Sequence, residues 1–208
     1  RGVVPACRSL DVVSIFALNS LDAASVFQVA ADFDSADAYA RPMQAPLLGH
    51  GIPGAGFRFG VPRADQLEFF DDVESHGLFT ASVARLETMG GEAVEIDFTP
   101  FLEAARLLYE GPWVAERYVA IEDLITTQPE ALLEVTRTII GGGANPTAAA
   151  SFKAQYRLME LKRVSEAVWD EVGFIVAPTA GTLYRIDEVE ADPIRLNSNL
   201  GYYTNFMN

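Results

Sequence analysis

Tyr109 and Arg117 are the two residues of this sequence whose types and spacing could do chemistry together. They lie in the stretch Leu107–Tyr118, on either side of Gly111-Pro112. A residue before proline avoids the helical region and proline suits the first turn of a helix, so a break between two helices is predicted here. A guanidinium beside a tyrosine hydroxyl can bind a planar carboxylate through two parallel hydrogen bonds. These two residues, called the clamp pair below, could therefore bind a carboxylate.

The residues alone leave a second interpretation of this stretch open. Arg117 could simply form an ion pair with Glu116 or Glu110 in a kinked core helix, because structural ion pairs of this kind are common. Spacing alone favours this structural interpretation over the carboxylate clamp.

A catalytic nucleophile is harder to find than a binding site. Cys7 is the only cysteine, and with His50 or His76 it could in principle form a thiol–imidazole pair. A lone cysteine near an apolar segment is usually buried, however, and His76 falls in a helical run with surface character. The histidines and carboxylates show no metal-ligand spacing, and Asp71-Asp72 is typical of a solvated surface. We expect neither a catalytic residue nor a metal site.

Two glycine-rich segments could suggest a cofactor site. Residues 49–54 match the G-x-G-x-x-G pattern, but a loop precedes them and a strand follows, the reverse of the order that places phosphate at a helix N-terminus. Gly141–Asn145 lacks the lysine of a phosphate-binding loop and follows a helix, which favours a helix end. We therefore expect no cofactor.

Composition excludes several classes of partner. The formal net charge is −14 and no basic run occurs, so nucleic acid and anionic membranes are not expected partners. No apolar run approaches the length of a membrane span, and no signal peptide is recognised. We expect a cytoplasmic protein.

The first half of the chain predicts an α/β fold with a mixed sheet flanked by helices. A helix should begin at Ser20, capped by that residue or Asn19, and run to about residue 31. Loop should follow over 32–56. A strand over 57–62, a helix over 73–89 and a strand over 94–98 form a right-handed crossover between parallel strands. The inward residues of the two helices are predicted to be Leu21, Val26, Phe27 and Ala30, then Leu78, Phe79, Val83 and Leu86.

The second half is predicted to be mostly helical, with no linker that would divide it. Helices are expected over roughly 100–110, 112–125, 129–140 and 147–172, followed by a short strand over 174–178 and by loop over 179–208. Thr147 should cap the last helix. Its inward stripe is predicted to be Phe152, Tyr156, Met159, Val164 and Val168.

Several stretches in this order resemble the amidase signature family. The matches common to many amidases are Arg1–Asp11, Ser20–Ala24 and Phe174–Thr179. The matches that are similar to the allophanate hydrolase branch in particular are Leu107–Arg117, Ala191–Gly201 and Tyr203–Phe206.

The resemblance implies a hydrolase that cleaves a C–N amide bond with a Ser–cis-Ser–Lys triad and a backbone oxyanion hole. In the family's order these three residues precede Arg1, and Lys153 and Lys162 do not match the lysine. The motif match reverses the preference from spacing alone: it implies that Tyr109 and Arg117 are the residues expected to bind a small carboxylated amide, allophanate, in urea degradation. We expect residues 1–208 to be a single incomplete segment of an amidase domain, cut at both ends, and the full-length protein to form a homodimer.

Three hypotheses follow from these observations. The chain could be part of an allophanate hydrolase, or of another amidase such as a transamidase subunit or an arylamide hydrolase. It could also be a non-catalytic α/β binding module, which needs no triad. A substrate without a carboxylate would have no use for the clamp pair, and this difference separates the first hypothesis from the second.

Overall fold

The structure, a computed structural model, describes residues 2–40 and 56–207. Its helices are α1 Ser20–Ala30, α2 Val73–Thr88, α3 Thr99–Glu110, α4 Val114–Thr127, α5 Glu134–Gly141, α6 Ala148–Glu166, α7 Ile186–Ala191 and α8 Pro193–Leu200. Its strands are β1 Arg58–Pro62, β2 Glu92–Ile96 and β3 Phe174–Ile175. Short 3-10 helices cover Ala64–Gln66, Pro129–Ala131, Gly142–Ala144, Ala167–Asp170 and Asn205–Met207. No described helix is long and apolar enough to cross a membrane.

The three described strands form a parallel sheet in the order β2-β1-β3. Phe59 of β1 lies opposite Ala93 of β2 and Phe174 of β3. The predicted α/β class and the parallel crossover through α2 are therefore confirmed. β2 ends two residues earlier than predicted, because the Asp97 carboxylate accepts hydrogen bonds from the Thr99 N–H and hydroxyl, and these turn the chain into α3.

The inward faces predicted for α1 and α2 are only partly correct. Asn19, one of the two predicted alternatives, caps α1 and accepts hydrogen bonds from the N–H groups of Leu21 and Asp22. Leu21 is 79% exposed, however, and α1 contains no buried residue. In α2 the Phe79 side chain is buried, whereas Leu78 is exposed. Among the described residues, α1 has no apolar partner layer for the face that periodicity assigned to the core.

Helix α6 begins at the predicted cap, Thr147, but buries a different face. Four residues of the predicted stripe are more than half exposed: Phe152, Tyr156, Met159 and Val164. Ala154 and Leu161 are buried instead. A two-pronged ion pair between Arg157 and Glu103 holds α6 against α3, and the small Ala154 side chain faces the core.

The end of the chain is helical, so the prediction of loop over 179–208 was wrong. Asp192-Pro193 opens α8, with proline in the first turn, a position that it favours. The helix predicted over 129–140 is also shorter, because Leu132 and Leu133 are extended between the 3-10 turn and α5.

Helix α3 lies between two hydrophobic clusters. At its beginning, Phe101 packs with Ile96, Phe98 and Tyr203. At its end, Leu108 packs with Cys7, Trp113 and Ala154. Tyr109 follows Leu108 directly, so both clusters fix the helix that presents it.

Candidate functional site

The predicted break lies between α3 and α4. Gly111 ends α3, and its N–H donates to the Leu107 carbonyl at 3.0 Å. A Cβ at this position would lie 2.3 Å from the same carbonyl oxygen, so the bend requires glycine. Pro112 follows, and α4 begins two residues later with Trp113 and Val114 buried.

The bend brings the clamp pair together. The Arg117 guanidinium carbon lies 5.1 Å from the centre of the Tyr109 ring and over its face, which is the geometry of a cation–π contact. Tyr109 is 45% exposed, and Arg117 is partly buried. The Arg117 Nε is buried without a hydrogen-bond partner in the part of the chain that the structure describes.

The alternative ion pairs of Arg117 are not formed. Both carboxylate oxygens of Glu116 accept hydrogen bonds from Ser9, one from its N–H at 2.8 Å and one from its hydroxyl. Glu110 forms no ion pair with Arg117, and within residues 2–40 and 56–207 no carboxylate lies within 4.0 Å of the Arg117 guanidinium. The cation is therefore held by an aromatic ring, and it has no anionic partner in the described part of the chain.

Burial works to lower the pKa of the Arg117 guanidinium, but its interactions with the Tyr109 and Cys7 side chains outweigh that effect. The pKa consequently lies above the usual range of arginine. The side chain therefore stays protonated, and it can attract a carboxylate.

Cys7 lies beside the clamp pair without forming a nucleophilic site. Only 3% of the residue is exposed, and its sulfur lies 3.8 Å from the Trp113 carbonyl oxygen. Burial raises the pKa of the Cys7 thiol, and the nearby Arg117 lowers it by less, so the unreactive thiol form dominates. His76 instead stacks on Phe69 at 4.8 Å, and His50 lies outside the described residues.

Tyr109 lines a cavity of about 730 Å³ between α3, α4 and α8, called the Tyr109 cavity below. Its opposite wall includes Asn197 and Ser198, from a stretch about 90 residues further along the chain. The two stretches most similar to allophanate hydrolase therefore meet at one cavity. Arg117 touches the Tyr109 ring but does not itself line the cavity.

Arg106 is the cation that sequence reasoning missed. It lines the Tyr109 cavity one turn before Tyr109 on α3. The signal was present in the sequence, since residues three apart on a helix share a face. An exposed arginine on an amphipathic helix is ordinary, so the sequence alone does not single out Arg106.

A second, open cleft is acidic. Four acidic side chains line it: Glu68, Asp71, Glu188 and Asp192. Arg195 is the single cation among the described residues of its lining. Its acidic lining repels an anionic substrate, so this cleft is not suited to bind a carboxylate.

The other candidates from the sequence have structural roles. Gly141–Asn145 forms a helix end, where a Cβ on Gly143 would lie 2.5 Å from the Val114 carbonyl oxygen. Asp72 is not merely solvated, since it caps α2 and accepts a hydrogen bond from Thr182. Lys153 and Lys162 are exposed on α6. The described residues contain no group of metal-ligating side chains, and residues 49–54 lie outside them.

A scan against protein families matches residues 1–208 to the family described as Amidase. The chain belongs to the amidase family. The resemblance stated from the sequence motifs is thus confirmed over the whole chain. Among curated proteins it is 36% identical to the urea amidolyase of Lachancea kluyveri over 211 residues, which is 100% of this chain and 11% of that relative.

Solved structures give the same result for this amidase chain. The urea amidolyase of K. lactis superimposes with a TM-score of 0.91 at 37% identity, over 99% of this chain and 12% of that one. The allophanate hydrolase of Kluyveromyces lactis superimposes with a TM-score of 0.90 at 38% identity, over 100% of this chain and 34% of that one. The chain therefore spans about a tenth to a third of the length of these relatives.

Proposed function

We propose that the protein carrying this chain hydrolyses the C–N amide bond of allophanate, releasing ammonia and carbon dioxide as a step of urea degradation in the cytoplasm. Tyr109 and Arg117 bind the substrate carboxylate. The observation that carries this proposal is the Arg117 guanidinium against the Tyr109 ring, with its Nε unbonded and no anionic partner among the described residues, in an amidase chain 38% identical to an allophanate hydrolase.

The chemistry divides between two parts of the protein. The nucleophilic serine of the Ser–cis-Ser–Lys triad implied by the family attacks the carbonyl. This triad is supplied outside residues 1–208. This chain supplies substrate recognition: a fixed cation near the bend attracts the carboxylate, and a bidentate contact orients the amide for attack. We further propose that residues 1–208 form one segment of the amidase domain and that the full-length protein is a homodimer without a cofactor.

Substrate selectivity separates this proposal from other amidase activities. Steady-state ammonia release by the full-length protein should be measured with allophanate and with neutral amides of similar size. We expect a clear preference for allophanate in kcat/KM. Equal or better hydrolysis of a neutral or aryl amide would instead indicate a transamidase-like or arylamide-hydrolysing enzyme, and no hydrolysis at all would favour a binding module.

A further inference from the structure

Ser9 and Glu116 connect two segments that are 107 residues apart in the sequence. The Ser9 N–H donates to one oxygen of the Glu116 carboxylate at 2.8 Å, and the Ser9 hydroxyl donates to the other oxygen. Two hydrogen bonds to one carboxylate fix its orientation as well as its position, and each is stronger than a neutral hydrogen bond because the acceptor is charged. We call this contact the Ser9–Glu116 link.

The loop that carries Ser9 is itself rigid. The Asp11 carboxylate accepts hydrogen bonds from the Ala6 and Cys7 N–H groups, both at 2.8 Å. The N–H groups of Leu10 and Asp11 donate in turn to the Cys7 carbonyl at 2.8 and 2.7 Å. Because these bonds close residues 6–11 into a compact turn, the link ties a fixed point to α4.

The same loop reaches Arg117 from the side of Cys7. Cys7 packs with Trp113, the residue immediately before α4, and its side chain interacts with the Arg117 guanidinium. Tyr109 contacts the guanidinium through its ring. Arg117 is thus held by one residue before the bend and one residue of the N-terminal loop, while its neighbour Glu116 is bound to that loop.

We propose that Ser9 and Glu116 are positioning residues that hold the first turn of α4, and with it Arg117, in register with Tyr109. The link makes the protein selective for carboxylated over neutral amide substrates. It also occupies both oxygens of a carboxylate next to the clamp pair, and hydrogen bonds disperse a negative charge that would otherwise repel the substrate. This inference rests on the proposed function.

The test uses Ser9→Ala and Glu116→Gln in the full-length protein, with allophanate and a neutral amide as substrates. We expect KM for allophanate to rise roughly three- to tenfold in each variant, the scale of one lost hydrogen bond at a site that does not touch substrate. We expect kcat to change less than KM, and KM for the neutral amide to stay constant. The double variant should be no worse than the poorer single one, because the two residues form one contact.

Matched controls separate the link from general effects. Ser82→Ala removes an exposed hydroxyl that bonds within α2, and Glu166→Gln removes an exposed carboxylate paired with Arg163 on α6. Both should leave all constants unchanged. Ser9→Thr retains the hydroxyl and the N–H, so its KM should equal that of the wild type. If Ser9→Ala folds poorly, comparison with Ser9→Thr shows whether the lost link is the cause.

Different results would refute the proposed function and the role of the link. If the wild-type protein does not prefer allophanate to the neutral amide, the proposed function is wrong and this inference falls with it. If the wild type shows the preference but Ser9→Ala and Glu116→Gln change both substrates equally, or neither, the link is only structural. That result would overturn the inference and leave the proposed function intact.

Discussion

Replacing Arg117 by lysine is expected to weaken binding of the carboxylated substrate while keeping the positive charge. Lysine carries a point charge and lacks the planar fork that can donate two parallel hydrogen bonds. It also cannot stack flat on the Tyr109 ring, which the guanidinium carbon approaches to 5.1 Å. The change therefore removes the planar arrangement of donors at the clamp pair but keeps the positive charge.

The magnitude follows from one lost hydrogen bond to a charged group, about 1.5–3 kcal/mol. At about 1.4 kcal/mol per factor of ten, kcat/KM for allophanate should fall roughly ten- to a hundredfold. The loss should appear mainly in KM. Tyr109→Phe should cost less, because the ring still packs against the guanidinium and only the hydroxyl is removed.

The assay is steady-state ammonia release by the full-length protein, with allophanate and with an analogue whose carboxylate is replaced by a neutral group. With the analogue, kcat/KM of both variants should be nearly equal to that of the wild type, because the contact that the substitutions remove is already absent. Arg163→Lys, at an exposed position on α6, is the matched control and should change neither substrate. Equal impairment of both substrates by Arg117→Lys would refute the reasoning and make Arg117 a structural residue.

Three further predictions test the fold and the division of labour. Tyr203→Phe should lower the free energy of unfolding by about 1–3 kcal/mol, because the 1% exposed Tyr203 hydroxyl bonds both the N–H and the carbonyl of Glu68; an unchanged urea midpoint would contradict this. Hydrogen bonds from Thr99 and Gln66 lower the pKa of Asp97 from 3.8 to about 2, so its contribution is complete above pH 4 and is lost as the pH falls through about 2. Since the side chain is 53% exposed, we expect Asp97→Asn to cost only about 0.5–1 kcal/mol at pH 7 and nothing near pH 1, as measured by urea unfolding at both pH values; an equal cost at both would refute the assignment. The isolated 208-residue chain should release no ammonia from allophanate, because it supplies no serine–lysine relay; steady release by pure protein would point back to Cys7.

Local patterns were sufficient where one element decides its own structure. Alternation over 57–62 and 94–98, with a helix-length run between them, predicted the parallel crossover that β1, α2 and β2 form. Gly111-Pro112 predicted the bend, because both residues restrict the backbone directly. The contact between Tyr109 and Arg117 then followed from the bend.

Long-range packing defeated the same reasoning elsewhere. Helix α6 has an aromatic stripe that periodicity assigns to the core, but the face that packs on α3 is the one with Ala154 and Leu161. Which face of α6 is buried depends on the partner helix. Arg157 and Glu103 form their ion pair only when the chain is folded, because they are 54 residues apart in the sequence. The Ser9–Glu116 link could not be predicted from the sequence either, because its two residues are 107 positions apart. Helix α8 has a local signal, since Asp192-Pro193 is typical of a helix start, although the sequence was interpreted as loop there.

The most direct test of the central claim is a crystal structure of the full-length protein with a non-hydrolysable carboxylated analogue of the substrate. The account predicts that two guanidinium nitrogens of Arg117 lie about 2.7–2.9 Å from the two carboxylate oxygens, with the Tyr109 hydroxyl beside them. A carboxylate bound by Arg106 across the Tyr109 cavity, with Arg117 still packed on the Tyr109 ring, would contradict it.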